Sequence, residues 1–440
     1  LLTNWSQVRI LCDPPFLGHN TLMFFLRNLF LNLRTSFNVD AFKGGFLFFL
    51  VLSSWYILRP VRNEMAVSNV NELPYLLGAG ALTMLLLNPL YSWIASRANL
   101  KKIIFYCYSF FITNLIFFML SWRVLDLGNS VWLERVFYVW SNVFSFFIVS
   151  IFWVVIINLF RDFKTRNFYG VIMAGGSLGA FFGSSITKEI SGSFNEYGLE
   201  FFSFFSATFL FLAMIFAIQM INKSKSLNKL ELKNVGGGSL DAITNSIKKS
   251  EIRNISLYVW IWTGLMTVQW ITAAHIVESW SQDPQQRIEF FSLIEQIISP
   301  LTFIFQIFLT NIIIKHIGIK NILMMYGFIF ILAFMSYGFI PSITVVAIIQ
   351  IILRVFEYAI NKPTREIIFS SLKKSDRYKS SVFIDTFISR FGDLTGSSII
   401  AIGKLTTVAL NMLPLFAIPV AACISFLGIK ISKQTKLKGP

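Results

Sequence analysis

The chain has 440 residues, of which 55% are hydrophobic and only 14% are charged, and its mean hydropathy is +0.65. A soluble domain carries about 25% charged residues, so this composition excludes an ordinary soluble protein and predicts one that crosses the membrane several times. The net charge of +16 does not indicate nucleic-acid binding, because the basic residues are dispersed along the chain. Three cysteines and three histidines lie far apart, so we predict no disulfide framework, no metal site and no cofactor.

Residues 1–40 form a mixed, polar cytoplasmic or juxtamembrane segment in which residues 21–34 are basic and amphipathic, a pattern typical of a helix on the inner membrane surface. An equally good interpretation is a juxtamembrane leader without a role of its own. After the leader, twelve segments reach the roughly 20 apolar residues that a membrane span requires. These segments are 43–62, 73–95, 101–122, 132–159, 168–190, 199–221, 254–276, 288–314, 319–339, 341–361, 379–402 and 405–430.

A Lys- and Ser-rich linker, residues 222–253, separates a six-helix bundle at 41–221 from a second bundle at 254–431, which a short tail at 432–440 follows. Most of the Lys and Arg outside the spans fall on the side that holds both termini and the linker, and the positive-inside rule therefore places these parts in the cytoplasm. We predict an all-α integral membrane protein with twelve helices in a 6+6 major-facilitator-like arrangement. In that architecture the solute site lies between the halves near the bilayer midplane.

Helix 1 and helix 4 carry the candidate anion-binding residues of the first half. Arg59 and Arg62 are three residues apart and share a helix face, and guanidinium groups bind phosphate or carboxylate in a bidentate manner. The alternative is that both arginines are outer-surface anchors beside Pro60. Asn142 is the polar residue deepest in helix 4, where contact with a ligand and a hydrogen bond between helices are equally good interpretations.

Helix 5 contains four glycines at spacings that favour close packing of helix backbones rather than a phosphate-binding loop, since the Lys-Ser/Thr ending of a P-loop is missing. These residues are Gly175, Gly176, Gly179 and Gly183.

Charges in helices 8, 10 and 11 are the strongest functional candidates, because charges at bilayer depth are expensive unless they face a cavity or each other. Glu295 in helix 8 is a candidate proton or cation-pair site, and Pro300 predicts a kink beyond it. On helix 10 the helical spacing predicts one polar stripe, and on helix 11 it predicts an ion pair between Arg390 and Asp393. The stripe comprises Arg354, Glu357, Tyr358, Asn361 and Arg365, and helix 11 carries one further candidate carboxylate, Asp385. At the end of helix 10, beside Pro363, we predict a cytoplasmic gate that consists of Lys362, Thr364, Arg365 and Glu366.

Five segments together resemble the non-mitochondrial ATP/ADP translocases, the nucleotide exchangers of plastids and intracellular bacteria. They are YILRPVRNEM at 56–65, FYVWSNVFSFFIVSIFW at 137–153, RNFYGVIMAGGSLGA at 166–180, KPTREIIFSSL at 362–372 and FIDTFISRFGDLTGS at 383–397. The resemblance implies ATP binding and nucleotide exchange by alternating access. Arg62 keeps the positive charge of that family in helix 1, whereas Asn142 stands in place of a Glu, and Glu295 and Asp393 stand in place of lysines. A triphosphate carries about four negative charges and favours several cations, so these departures leave the substrate open.

The sequence carries no catalytic set and no nucleotide-hydrolysis motif, so we predict a transporter rather than an enzyme. The expected function is secondary transport of a nucleotide or related organic anion across a membrane, most naturally the bacterial inner (plasma) membrane. The expected partners are a small-molecule substrate and the lipid bilayer, with no nucleic acid and no protein partner. One alternative is a proton-coupled carrier of another solute that uses Glu295, Asp385 or Asp393 as its proton site. A second alternative is a membrane scaffold or sensor that transports nothing, although the buried charge argues against it.

Overall fold

The structure is a computed structural model, and it describes residues 39–97, 100–123, 130–159, 169–223, 249–370, 383–404 and 412–436. The predicted surface helix at 21–34, most of the predicted linker and the end of the predicted tail lie outside the described residues. Every regular element of the described ranges is helical, as the apolar runs predict, because a helix satisfies its own backbone hydrogen bonds in lipid.

The described residues of the first half form six long helices. A single helical turn at Phe194–Tyr197 connects the last two of them. In chain order the long helices are α1 (Val39–Ser68), α2 (Leu73–Arg97), α3 (Leu100–Arg123), α4 (Val131–Leu159), α5 (Tyr169–Ile190) and α6 (Glu200–Lys223).

The described residues of the second half form six further helical segments, several of which include irregular turns. Helix α7 is Ser250–Trp280, and α8 begins at Pro284–Ile304 and passes through a π-helical turn at Phe305–Leu309. The stretch Thr310–Phe339 is interrupted at Gly318, whose φ of 78° and ψ of 156° are not helical; residues 310–317 therefore extend α8, and residues 319–339 form α9. The remaining segments are α10 (Ile343–Phe356, a π-helical turn Glu357–Asn361, and Lys362–Ser370), α11 (a π-helical turn Ile384–Ile388, then Ser389–Gly403) and α12 (a 3₁₀ turn Leu413–Ala417, then Ile418–Lys436).

Within the described residues, eight helices are long and apolar enough to cross a membrane by length and composition: α1, α3, α4, α6, α8, α9, α10 and α12. Helix α2 adds a shorter apolar stretch, Leu73–Leu87. The prediction of an all-α integral membrane protein is confirmed. The full count of twelve spans and the cytoplasmic location of both termini stay predictions.

The packing of the helices repeats after every six helices. Helix α1 packs against α5 and α6, and α7 packs against α11 and α12 in the same way. The pairs α3 with α6 and α2 with α4 recur as α9 with α12 and α8 with α10. Contacts between the halves follow the same rule, since α5 packs on α8 and α11 packs on α2. The chain is therefore built from two similarly packed halves, although the sequence shows no clear repeat.

The four glycines of α5 lie against α1. A Cβ atom added to Gly175 or Gly179 would collide with the backbone carbonyl oxygen of Gly45 or Phe49, and one added to Gly183 would lie 2.6 Å from the carbonyl oxygen of Ser53. A Cβ atom on the remaining glycine, Gly176, would collide with the ring of Phe48. In the second half, Gly392 and Gly396 of α11 meet α7 in the same manner. Both helix pairs thus use small residues to bring their backbones together.

Candidate substrate-binding site

A carboxylate on α8 is shared by arginines from both halves of the molecule. Glu295, which is 1% exposed, accepts two hydrogen bonds from Arg354 of α10, one of them to Oε2 at 2.8 Å. Nε of Arg59, on α1, lies 3.2 Å from Oε1 of the same carboxylate. Glu295 therefore connects the two halves near the middle of α8. This contact joins three of the predicted substrate-binding residues.

Arg62, one helical turn beyond Arg59, is held by neutral groups. Its guanidinium donates to the amide oxygen of Asn142 at 2.9 Å and to the hydroxyl of Tyr138 at 3.3 Å, and it lies 4.7 Å from the centre of the Tyr138 ring. Its Nε is buried without a hydrogen-bond partner. Among the described residues, no carboxylate lies within 4 Å of it. Arg59, Arg62 and Arg354 together carry three positive charges against the single negative charge of Glu295.

Two tyrosines border this cluster. The hydroxyl of Tyr56 accepts a hydrogen bond from Arg59 at 2.9 Å. Tyr358 is four residues after Arg354, and therefore shares its helix face, yet its side chain is 37% exposed. The lipid-facing side of α10 is elsewhere, at Ile348 and Ile352. Arg59 of the first half and Arg354 of the second both lie near Tyr358, which places this side chain beside the Glu295 cluster.

The members of the predicted stripe on α10 form two groups in the structure, Arg354 with Tyr358 and Glu357 with Asn361 and Arg365, and the helix changes register at the π-helical turn Glu357–Asn361. A π-helical turn has more residues than an α-helical one and so rotates the residues that follow it. Glu357 is buried inside the second half, where it accepts hydrogen bonds from Arg365 at 3.0 Å and from Asn361 at 2.6 Å. It therefore lies apart from Glu295 and Arg354. The group around Glu357 extends to α7. There the hydroxyl of Tyr258 donates to the amide oxygen of Asn361 at 3.2 Å, and the guanidinium carbon of Arg365 lies 4.8 Å from the centre of the Trp262 ring.

On α11 the predicted ion pair is present. Arg390 donates to Oδ2 of Asp393 at 2.7 Å, and Thr267 of α7 donates to Oδ1 at 3.1 Å. The side chains of Arg390 and Asp393 are 35% and 22% exposed. The third candidate of this helix, Asp385, lies in the π-helical turn and is half-buried among charges that include Arg365. Asp385 therefore belongs with the far end of α10 rather than with the Glu295 cluster.

The predicted gate residues occupy the last part of α10, and the hairpin at 371–382 that follows them lies outside the described residues. Thr364 donates to the carbonyl oxygen of Ile360 on its own helix, and Arg365 binds Glu357, so neither makes its polar contact with the first half. Lys362 is half-buried and Glu366 is 7% exposed. The gate role of these four residues stays a prediction.

A second ion pair between the halves was missed from the sequence. Arg287, in the first turn of α8, donates to Glu64 at 2.8 Å and to Ser68 at 2.8 Å, both near the end of α1. Lys404 donates to the backbone oxygens of Val70 and Asn71 at the same end. This end is the one that the Lys and Arg distribution predicts to be outside. The sequence did contain a signal for this pair, because Glu64 and Arg287 lie at ends of helices 1 and 8 that are predicted to be on the same side of the membrane.

No family model and no curated protein matches this chain. Solved transporter structures match over most of its length. A point mutant of the nucleoside transporter NupG aligns with a TM-score of 0.66 at 11% identity, covering 89% of this chain and 99% of that one. A POT family transporter in complex with 5-aminolevulinic acid aligns with a TM-score of 0.63 at 10% identity, covering 90% and 96%.

A bacterial homologue of the human lysosomal transporter Spinster, in an inward-facing and unoccupied conformation, aligns with a TM-score of 0.54 at 13% identity, covering 90% of this chain and 94% of that one. At these identities the likeness concerns the fold. Together with the packing that repeats after six helices, it shows that this chain has the fold of the major-facilitator-like transporters.

Proposed function

We propose that this protein is a secondary transporter that moves a small organic anion by alternating access, with nucleotides and related phosphorylated compounds as the first candidates. The observation that carries the proposal is Arg62, a half-buried guanidinium that binds Asn142 and Tyr138 and has no carboxylate within 4 Å among the described residues. The membrane we propose is the inner (plasma) membrane of a bacterium.

The charge of the central cluster supports an anion as the solute. A charged side chain inside a membrane protein is costly and needs a counter-charge. Glu295 supplies one negative charge to Arg59 and Arg354, and Arg62 is left with neutral partners. A bound phosphate or carboxylate would meet this need, because the guanidinium fork binds such groups in a bidentate manner.

The surroundings of the cluster support an organic solute. Tyr358 presents a partly exposed aromatic ring beside Arg354, whose guanidinium lies 5.9 Å from the ring centre. Aromatic faces stack on planar groups such as nucleobases. The five motifs shared with the nucleotide exchangers point to the same class, and NupG, a protein of like fold, is a nucleoside transporter.

Alternating access requires contacts between the halves to form at one end while they break at the other. The polar contacts between the halves run from Arg59–Glu295 toward the predicted outer end, where Glu64 binds Arg287. The two halves are accordingly joined at the predicted outer end, and outward opening would have to separate Glu64 from Arg287.

The proton-coupled alternative loses one of its candidate residues. Two arginines neutralise Glu295, so this carboxylate needs no proton to be accommodated. Asp393, which is partly exposed and bound to a single arginine, remains the better proton site for that alternative.

Uptake into liposomes that contain the purified protein tests the proposal. We expect labelled nucleotides to enter, and unlabelled nucleotides to compete with them, whereas choline and other organic cations do not compete. Uptake of cations but of no anion, by a protein shown to be folded, would contradict the proposal.

A further inference from the structure

We infer that the substrate carries two negative charges and is a phosphate monoester, such as a nucleoside monophosphate, and that Glu295 sets this charge. The inference rests on the proposed function and narrows its substrate class. It follows from comparing the charged side chains near the candidate site that are paired within the protein with those that have no counter-charge among the described residues.

Three ion pairs near the candidate site each join one acid to one arginine. Glu64 binds Arg287, Glu357 binds Arg365, and Asp393 binds Arg390, each with nitrogen and oxygen between 2.7 and 3.0 Å apart. Each pair has one charge of either sign and therefore adds no net charge to the space between the halves.

The cluster around Glu295 is not balanced. Arg354 binds both oxygens of the carboxylate, so Arg59 reaches it through a single contact at 3.2 Å. Arg62 does not bind it at all. Three arginines and one glutamate leave two positive charges; Arg59 and Arg62 belong to α1, and Arg354 lies 5.9 Å from the ring centre of the partly exposed Tyr358.

A substrate that balances these charges should be a dianion. A phosphate monoester carries about −1.5 to −2 charges at pH 7, which matches the cluster. An uncharged nucleoside would leave both positive charges without a counter-charge. A nucleoside triphosphate, with about four negative charges, would bring roughly two unbalanced charges into a region of low dielectric constant, where such charges are costly.

Glu295 is the specificity-determining residue, because its carboxylate balances one of the three arginine charges. Without it, the substrate would have to carry one more negative charge to balance the cluster. Replacing it with glutamine keeps the size of the side chain and raises the net charge of the cluster from two to three. The preferred substrate of Glu295→Gln should then shift toward a nucleoside diphosphate.

The experiment measures binding of four ligands with one base, adenosine and its mono-, di- and triphosphate, to the purified full-length protein by calorimetry. We expect the wild type to bind the monophosphate about tenfold more tightly than the triphosphate. In Glu295→Gln the ratio of diphosphate to monophosphate affinity should rise about tenfold. The matched control is Glu289→Gln, a substitution on the same helix near its outer end, which should leave the ratio unchanged.

A second variant tests the same charge rule if Glu295→Gln fails to fold. Asn142→Asp places a carboxylate beside Arg62 and lowers the net charge of the cluster to one, so affinity for the monophosphate should fall relative to that for adenosine. The inference would be overturned if the wild type preferred the triphosphate, or if the ratio of diphosphate to monophosphate affinity were unchanged in a folded Glu295→Gln variant. Either result would still be compatible with the proposed anion transport. Binding of none of the phosphates by folded wild type would overturn both.

Discussion

Arg62 of α1 donates to the amide oxygen of Asn142 on α4 at 2.9 Å, and this contact replaces the ion pair that a buried guanidinium would ordinarily require. Both residues belong to the first half, so the bond does not tie the halves together. In contrast, Arg59, one turn away, contacts Glu295 of the second half. Helix α1 thus holds one arginine that contacts a carboxylate of the second half and one whose hydrogen-bond partners among the described residues are neutral groups.

Closure of the predicted outer end should depend on the pair of Glu64 and Arg287. Arg287→Ala leaves the buried Glu64 without its cation, and loss of one partner of a buried pair costs about 3–5 kcal/mol. We therefore expect a larger outward-open population and faster alkylation of a cysteine introduced at Asn71, in a background without the native cysteines.

The control for this measurement is Lys188→Ala on α5, which removes a positive charge near the same end. It should not change the alkylation rate. Exchanging the two residues, in the double variant of Glu64→Arg and Arg287→Glu, should restore slow alkylation. Fast alkylation in the exchanged protein would mean that the pair does not act through its charge.

Helix α5 should tolerate no side chain at Gly179, because a Cβ atom there would collide with the backbone of Phe49. Overpacking of this kind costs about 1–3 kcal/mol, so Gly179→Ala should lower the melting temperature by several degrees. Gly396→Ala, at the equivalent contact of α11 with α7, should behave alike. The control is Leu178→Ala, on the exposed side of α5. If the glycine variants and Leu178→Ala had equal melting temperatures, the proposed packing role of the glycines would be refuted.

Glu366 should affect the transport rate more than substrate affinity. It is 7% exposed and lies near Lys362 beyond Pro363, in the segment that we predict closes the cytoplasmic end. In Glu366→Gln we expect a several-fold lower maximal rate with KM nearly unchanged, measured as liposome uptake. Glu278→Gln makes the same charge change at the opposite end of the second half and should keep the wild-type rate; an unchanged rate in Glu366→Gln itself would remove the gate hypothesis.

The topology rests on the distribution of Lys and Arg, which predicts that residues 222–253 and the C-terminal tail face the cytoplasm. Reporter domains fused after Gly237 and after Lys438 should both report a cytoplasmic location in cells. A periplasmic signal from either fusion would contradict the arrangement of twelve helices in two halves of six with both ends in the cytoplasm.

Local spacing in the sequence predicted features that depend on one helix. The Arg390–Asp393 pair follows from a separation of three residues, and the position of the four α5 glycines on one close contact follows from their periodicity. Pro300 lies within the α-helix Pro284–Ile304 and a π-helical turn begins at Phe305, so the kink expected at Pro300 itself stays a prediction.

Features that depend on several helices were not predictable in this way. On α10, Arg354 binds Glu295 whereas Glu357 binds Arg365, and the apolar periodicity of the sequence carries no distinct mark of the π-helical turn at Glu357–Asn361. The partners of Glu295 come from helices more than fifty residues away in each direction, so the sequence identified a costly charge without showing what neutralises it.

The most direct test of anion transport is the affinity of Arg62 variants for a nucleotide. Arg62→Ala removes a charge-assisted contact of about 1.5–3 kcal/mol, so we expect affinity for adenosine monophosphate, measured by calorimetry on the purified protein, to fall ten- to a hundredfold. Arg62→Lys keeps the charge but loses the planar fork, and its affinity should be intermediate. Wild-type affinity in a folded Arg62→Ala variant would contradict the account, because the arginine without a counter-charge would then play no part in binding the substrate.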